Sequence, residues 1–182
     1  GEGVRSAVED DSAAFEATCR LAVRWFEAHM LCPRHVSHEM VELLVRYVFR
    51  NTGAAEAPRS PVAGLIRLLS LLTSHPWAQL PLIVDHSIGA QAEKHYRSLA
   101  PAMRPPVFIA SKSDPLSQLW AAPRPEPVVW RHVVALAAGA AAAVAENKWD
   151  TAFKPSLAGF SMVLNLRKDV SASKASPPGL DP

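Results

Sequence analysis

The sequence predicts a mainly α-helical fold with a few short β-strands. Over long segments, apolar residues recur every three or four positions, the pattern of helices with one buried face. Only short segments, such as the proline-bounded Leu80–Asp85, are apolar and β-branched enough to predict strands. The 182 residues are 49% hydrophobic, which is sufficient for the core of one ordinary domain.

Three helices are predicted in the first half of the chain. The first begins at Ser12 and ends before Pro33, because helical apolar spacing fills the interval. The second begins after Ser37, a residue type favoured at the N-cap. The third begins at Ser60-Pro61, an N-cap followed by proline at the first helical position. Because leucines cover much of its circumference, we expect the third helix to be central.

Strands and helices alternate in the second half. Strand Leu80–Asp85 precedes a short helix over Ser87–Leu99, and a second strand is predicted over Pro105–Ser111. A long alanine-rich helix covers Val128–Asn147, followed by a third strand candidate, Phe160–Leu166. Polar side chains interrupt the long helix, so we expect a buried or amphipathic helix and no membrane association.

The two ends of the chain have a different composition from the rest. Residues 1–11 are small and acidic, and we expect them to be flexible. Residues 171–182, rich in Ser, Ala and Pro with one Lys, are predicted to be a flexible tail. A helical lobe is expected over 12–150. The 19 basic and 17 acidic residues leave a net charge of +2, so composition alone does not indicate nucleic-acid binding.

Asp85 is the first candidate for chemistry, because it is a carboxylate at a strand end, where many enzymes hold a metal. Two-metal chemistry needs a second acid nearby, and the next acidic residue is Glu93. Local cap chemistry favours another interpretation, in which Asp85 caps the following helix or turn. The sequence predicts no catalytic residue and contains no phosphate-binding loop or nucleophile motif. We therefore expect no cofactor.

A second candidate is a run of metal-ligand residue types, His29, Cys32, His35 and His38. Zinc sites usually consist of two close pairs separated by a longer spacer, and Pro33 interrupts this run. We expect no metal here, with a metal-binding module as the weaker alternative.

Arginines provide a third candidate site. Arg20 and Arg24 are four positions apart on the first predicted helix, as are Arg46 and Arg50 on the second, so each pair shares a helix face. Guanidinium groups suit bidentate contact with phosphate. A solvated helix face is the alternative interpretation for each of these residues.

Six segments in order resemble one family. The resemblance runs from about Arg20 to Arg167, and its combination of motifs is more specific than any one of them. The segments are LAVRWFEAHMLC, HEMVELLVRYVF, RSPVAGLIRLLSLLTSHPW, PLIVD, PAMRPPVFIAS and WDTAFKPSLAGFSMVLNL. They resemble the Nrap family, the nucleolar RNA-associated proteins of the small-subunit processome.

The resemblance implies a modular architecture. Nrap proteins are built from tandem modules similar to poly(A) polymerase and oligoadenylate synthetase, in which nucleotidyltransferase-like lobes alternate with helical lobes. This chain resembles a late helical bundle of that type, with residues 151–170 as the first strand region of the next nucleotidyltransferase-like lobe. The PLIVD strand is then retained as architecture.

The resemblance also implies a function. We expect a non-catalytic scaffold lobe in pre-rRNA processing and small-subunit assembly, located in the nucleus and nucleolus. The implied partners are pre-rRNA, other processome proteins and adjacent lobes of the same chain. Arg20, Arg24, Arg46 and Arg50 are the candidate RNA-binding residues. The alternative is the helical lobe of an active nucleotidyltransferase whose catalytic acids lie outside this chain.

Overall fold

The computed structural model describes residues 2–52, 56–119 and 125–155. In chain order the described elements are α1 (Glu2–Ala28), α2 (His38–Arg50), α3 (Pro61–Ser74), β1 (Leu82–Ile83), α4 (Gly89–Ser98), β2 (Ile109–Ala110), α5 (Pro127–Ala145) and α6 (Trp149–Ala152). The prediction of a mainly helical fold with short strands is confirmed. The strand candidate Phe160–Leu166 and the tail 171–182 lie outside the described residues.

Helix α1 starts earlier than its apolar pattern predicts. It begins at Glu2 instead of Ser12, and it ends at Ala28, before the predicted stop at Pro33. Residues 2–11 contain no proline, which alone breaks a helix strongly, so the helix extends to Glu2 although the apolar pattern begins later. Met30, with a φ of 57°, lies in the turn that follows α1.

Both predicted serine N-caps are confirmed. The Ser37 hydroxyl accepts a hydrogen bond from the Met40 amide at 3.1 Å at the start of α2. The Ser60 hydroxyl accepts one from the Ala63 amide at 3.2 Å at the start of α3. Each serine satisfies a backbone donor that the helix itself leaves unpaired.

Helix α3 is the centre of the main core, as predicted. It packs against α1, α2 and α5. Its buried positions are Gly64, Leu65, Leu68, Leu69 and Leu72. Since three helices surround it, most of its apolar circumference is buried, while Val62 and Ile66 remain exposed.

The two short strands pair in parallel and separate two apolar clusters. Leu82 pairs with Ile109, and Ile83 pairs with Ala110. Side chains alternate between the faces of a strand, so Leu82 and Ile109 enter the main core while Ala110 faces a second cluster. This smaller cluster joins the sheet to α4, chiefly through Tyr96.

Helices α5 and α6 close the described fold. By length and composition, α5 is the one helix in the described residues that could cross a membrane, and core helices of soluble proteins pass the same test. It packs on α3 and α6. The Trp25 indole N–H donates to the Ala152 carbonyl at 3.0 Å and so ties α1 to α6. Ala152 is buried in the main core.

Candidate functional site at the carboxyl edge of the sheet

The carboxyl ends of the two strands lie at the same edge of the sheet, because the strands are parallel. Asp85 follows β1, and the turn that begins at Ser111 follows β2. Edges of this kind hold ligands in many open α/β sheets, so this edge is the candidate functional site of the described fold.

Asp85 connects three parts of the fold. Its carboxylate accepts hydrogen bonds from the Arg50 guanidinium and from the Lys112 backbone amide, the second at 2.8 Å. The Asp85 side chain is 17% exposed, whereas that of Arg50 is 54% exposed. Because Arg50 ends α2 and Lys112 follows β2, the carboxylate joins α2, β1 and the β2 turn.

The prediction that Asp85 caps the following helix is therefore wrong, although its carboxylate does accept from a backbone amide in the turn after β2. Asp85 occupies the N-cap position of a short 3₁₀ turn, His86–Ile88, but its side chain makes no capping hydrogen bond. A charge-assisted bond to a guanidinium is stronger than a bond to a neutral amide, and a three-residue turn offers few donors in competition. The Asp85 carboxylate therefore binds the distant Arg50 guanidinium and not the amides of the 3₁₀ turn.

A second carboxylate at this edge, that of Asp114, was not predicted from the sequence. It is 3% exposed, and its oxygens accept from the backbone amides of Gln118 at 2.9 Å and Leu119 at 2.8 Å. Its own amide donates to the Ser111 hydroxyl at 3.2 Å. The sequence does contain a pattern that predicts a turn here, because Asp114 is followed by Pro115 and has serines on both sides.

The edge of β2 is also covered from this turn. Ser117 is fully buried, and its hydroxyl accepts from the Ile109 amide at 3.0 Å. Its φ of 55° places it in the left-handed region, and this backbone conformation accompanies the hydrogen bond to the strand. Ser117, Asp85 and Asp114 thus all accept hydrogen bonds from other groups of the protein.

The four candidate arginines lie on α1 and α2, and two of them have a glutamate four positions earlier. Arg46 contacts the Glu42 carboxylate at 2.5 Å, and Arg20 lies 3.8 Å from that of Glu16. The side chains of both pairs, arginines and glutamates alike, are exposed to solvent. Such pairs contribute little stability, but they reduce the positive field of each arginine.

The other two arginines differ from each other. Arg50 is engaged by Asp85. Arg24 is exposed, and it forms no ion pair with another described residue. Arg24 is therefore the arginine of the four whose charge is least compensated within the part of the chain that is described.

The two predicted helix faces approach each other around Cys19. Burial first, and then the Glu42 carboxylate, raise the pKa of the Cys19 thiol to about 11, while Arg46 and Arg20 oppose the shift. A groove of about 560 Å³ beside it includes Phe15 and His38. Since the thiolate is the reactive form, Cys19 is unsuited to act as a nucleophile near neutral pH.

The run of metal-ligand residue types is not gathered into a site. His29 Nδ1 lies 2.8 Å from the Trp25 carbonyl oxygen, and His38 lies 3.7 Å from Glu27. Cys32 is buried, and burial followed by the Glu27 and Glu39 carboxylates raises its thiol pKa. Within residues 2–52, 56–119 and 125–155, no group of three or more histidine, cysteine, aspartate or glutamate residues is arranged to hold a metal.

The described residues form a helical bundle with a small parallel sheet, an architecture that fits a helical lobe of the poly(A) polymerase/oligoadenylate synthetase type. A family model described as "Nrap protein PAP/OAS1-like domain 5" matches residues 12–160. The chain belongs to the Nrap family, as its motifs predicted.

Curated relatives agree with this assignment. Nucleolar protein 6 of Xenopus tropicalis is 32% identical over 129 residues, covering 68% of this chain and 11% of the relative. Nucleolar protein 6 of Homo sapiens is 25% identical over 172 residues, 87% of this chain and 15% of the relative. U3 small nucleolar RNA-associated protein 22 of Schizosaccharomyces pombe is 30% identical over 92 residues, 47% of this chain and 8% of the relative.

The names and the lengths of these relatives both bear on the chain. Two of these relatives are named as nucleolar proteins, and the third is named as a protein associated with a small nucleolar RNA. The chain spans less than a sixth of the length of the Xenopus tropicalis and human proteins.

Proposed function

We propose that this chain is a non-catalytic scaffold lobe of a nucleolar, RNA-associated ribosome-biogenesis factor that acts in pre-rRNA processing and small-subunit assembly. Membership of the Nrap family and the nucleolar relatives support this setting. The proposed partners are pre-rRNA, other processome proteins and the neighbouring nucleotidyltransferase-like lobes of the same polypeptide.

The use of Asp85 is the observation that carries the non-catalytic part of the proposal. Nucleotidyl transfer by two metals needs carboxylates that are free to coordinate the ions beside a triphosphate. The Asp85 carboxylate instead accepts from the Arg50 guanidinium and the Lys112 amide. This arrangement favours an architectural role for the strand and its terminal acid.

A nucleotide-incorporation assay tests this proposal. The full-length protein that carries this lobe is incubated with an RNA primer, labelled nucleoside triphosphates and Mg²⁺ or Mn²⁺. We expect no incorporation above background from the parent or from Asp85→Ala. The Arg50→Ala variant is the matched control, because it breaks the same contact and keeps the carboxylate.

The outcomes separate the two functional hypotheses. Incorporation that Asp85→Ala abolishes and Arg50→Ala preserves would overturn the architectural role of Asp85. Incorporation that survives both changes would support the alternative, an active enzyme whose catalytic acids lie outside this chain. Background signal throughout, with pre-rRNA co-purifying with the parent protein, is the result that the scaffold proposal expects.

We also propose that RNA contact by this lobe, through Arg20, Arg24, Arg46 and Arg50, is weak and without sequence preference. The support is the charge arrangement on α1 and α2. Carboxylates lie beside three of these arginines, so the local positive field is modest. Contacts with phosphate alone fix position but carry no sequence information.

An RNA titration at two salt concentrations tests this patch. The variant is Arg20→Gln/Arg24→Gln/Arg46→Gln, which leaves the contact between Arg50 and Asp85 in place. Its RNA affinity is expected to fall. The slope of log affinity against log salt concentration should become shallower by about 0.7 for each lost contact with a single-strand phosphate. Arg97→Gln is the control, because Arg97 forms a similar exposed pair on α4. Parent-like affinity and slope in the triple variant would eliminate the patch.

A further inference from the structure

A groove with a volume of about 520 Å³ lies between α5 and α6. We call it the α5–α6 groove. Small side chains of α5 form much of its wall, and two of them, Ala135 and Gly139, are four positions apart and exposed on one helix face. A Cβ atom added to Gly139 meets nothing within 4 Å, so the described residues leave space above this position for a large side chain of a ligand.

A buried histidine also lines the α5–α6 groove. His29 lies in the turn after α1 and is 9% exposed. Its Nδ1 lies 2.8 Å from the Trp25 carbonyl oxygen, which can only accept, so Nδ1 carries the proton of the neutral ring. Nε2 forms no hydrogen bond with another described residue, although buried polar atoms usually have a partner. Nε2 is therefore an acceptor left for a donor group that enters the groove.

The ionisable side chains that line this groove are all bases. Lys154 and His132 are exposed, and neither forms an ion pair with another described residue. Asp150 precedes Lys154 by four positions but does not line the groove, and neither does any other aspartate or glutamate of the described chain. The groove between α1 and α2 differs, because Glu16 and Glu42 line it. The α5–α6 groove is thus complementary to negative charge.

The same lining favours a peptide over RNA. Proteins that hold single-stranded nucleic acid usually stack its bases on aromatic or arginine side chains. No phenylalanine, tyrosine, tryptophan or arginine among the described residues lines this groove. A peptide can supply what the lining lacks, namely a large apolar side chain for the open space, a backbone N–H for the histidine acceptor and carboxylates for the basic side chains.

We propose that the α5–α6 groove binds an acidic peptide segment of another protein, one that carries a large apolar side chain. The apolar side chain lies against Ala135 and Gly139. A backbone N–H of the peptide donates to His29 Nε2, and its carboxylates lie beside Lys154 and His132. This inference deepens the scaffold proposal, and it rests on that proposal only for the expectation that the lobe meets other proteins.

Selection from a display library of short random peptides against the full 182-residue chain tests this inference. We expect the enriched peptides to combine aspartate or glutamate with a large apolar residue. The most enriched peptide is then synthesised, and its affinity is measured by fluorescence anisotropy. Gly139→Gln fills the groove and should weaken binding at least about tenfold. Gly89→Gln is the matched control and should bind like the parent, because Gly89 is another helical glycine whose added Cβ meets nothing within 4 Å.

A second variant, Lys154→Glu, reverses one charge and leaves the small residues of α5 unaltered. It should weaken binding about tenfold at low salt, and its difference from the parent should shrink as the salt concentration rises. Lys94→Glu is the control, because Lys94 is an exposed lysine on α4, outside the groove. If Gly139→Gln disturbs the packing of α5 on α3, the result for Lys154→Glu decides.

Three results would overturn the inference. The first is no enrichment, or enrichment of basic peptides. The second is binding that neither Gly139→Gln nor Lys154→Glu weakens. The third is another occupant, shown either by an oligouridine that displaces the peptide or by self-association of the chain that Gly139→Gln abolishes. None of these measurements involves nucleotide incorporation or co-purified pre-rRNA, so failure here leaves the tests of the scaffold proposal unaffected.

Discussion

Gly64 of α3 lies directly against Thr18 of α1. A Cβ atom built on Gly64 would stand 2.3 Å from Thr18 Oγ1 and 2.5 Å from its Cγ2. Thr18 is fully buried, and its hydroxyl donates to the Ala14 carbonyl at 2.7 Å, so the side chain is held in place. The close packing of the central helix on α1 therefore depends on glycine at this position.

Gly64→Ala should destabilise the protein. The added methyl group forces α1 and α3 apart, and overpacking of this kind costs about 1–3 kcal/mol, more than the gain in helix propensity. The measurement is urea unfolding. Gly89→Ala is the control and should be neutral or slightly stabilising, because its Cβ meets nothing within 4 Å. Equal stability of the two variants would show that the helices do not approach so closely.

Leu69→Ala tests the central position of α3. Leu69 is 1% exposed, so its truncation should lower the free energy of unfolding by about 2–5 kcal/mol. Ile66→Ala on the same helix is the comparison, because Ile66 is 44% exposed and should cost much less. A loss below about 0.5 kcal/mol for Leu69→Ala would place this residue near the surface.

The local elements could be predicted from sequence because their signals act within one helical turn. Ser37 and Ser60 cap their helices through amides three residues away, and the sequence carries that information directly. Asp85 could not be assigned in this way. Its guanidinium partner, Arg50, is 35 positions away, and its second donor depends on the parallel pairing of two-residue strands.

The last described helix illustrates the same limit. The four residues of α6 carry too little periodicity to be predicted, and their position depends on the bond between Trp25 and Ala152 across 127 positions.

The arginine patch, Arg20, Arg24, Arg46 and Arg50, was predictable as two helix faces. The compensation of Arg20 by Glu16 and of Arg46 by Glu42 follows from the same four-residue spacing.

Replacing each of two buried tryptophans, Trp25 and Trp130, with phenylalanine should lower the free energy of unfolding by different amounts. Trp25 donates to Ala152, whereas the Trp130 indole N–H has no hydrogen-bond partner among the described residues. Both rings are almost fully buried, so the loss of ring volume is similar. Trp25→Phe should therefore cost about 0.5–1.5 kcal/mol more than Trp130→Phe in guanidinium unfolding. Equal losses would mean that the bond to Ala152 adds nothing to stability.

His75 should make the protein less stable in mild acid. Burial lowers its pKa below 6.5, and this effect outweighs the hydrogen bond to the Leu80 carbonyl, which raises it. The unfolded chain therefore takes up a proton more readily, so the stability contributed by neutral His75 is lost as pH falls from about 6.5 towards the lower folded pKa. Unfolding at about pH 8 and about pH 5 should show a smaller decline for His75→Gln than for the parent. A steeper decline in the variant would contradict the direction of this shift.

The Cys19 thiol should react slowly with alkylating agents. Its pKa is raised from 9.0 to about 11, chiefly by burial, so the thiolate fraction at a given pH is roughly a hundredfold below that of a free cysteine. The check is the iodoacetamide rate near neutral pH in Cys32→Ser, compared with the same variant unfolded in urea. A folded rate close to the unfolded one would indicate an accessible, ionised thiol.

The role of Asp85 is tested most directly by urea unfolding of the parent and of Asp85→Asn, each with and without Mn²⁺. If the carboxylate ties α2 to the sheet edge through Arg50 and Lys112, the substitution should cost about 1 kcal/mol. The account predicts the same loss in the presence and absence of Mn²⁺. Stabilisation of the parent by Mn²⁺ that disappears in Asp85→Asn would show a metal-binding carboxylate and contradict it.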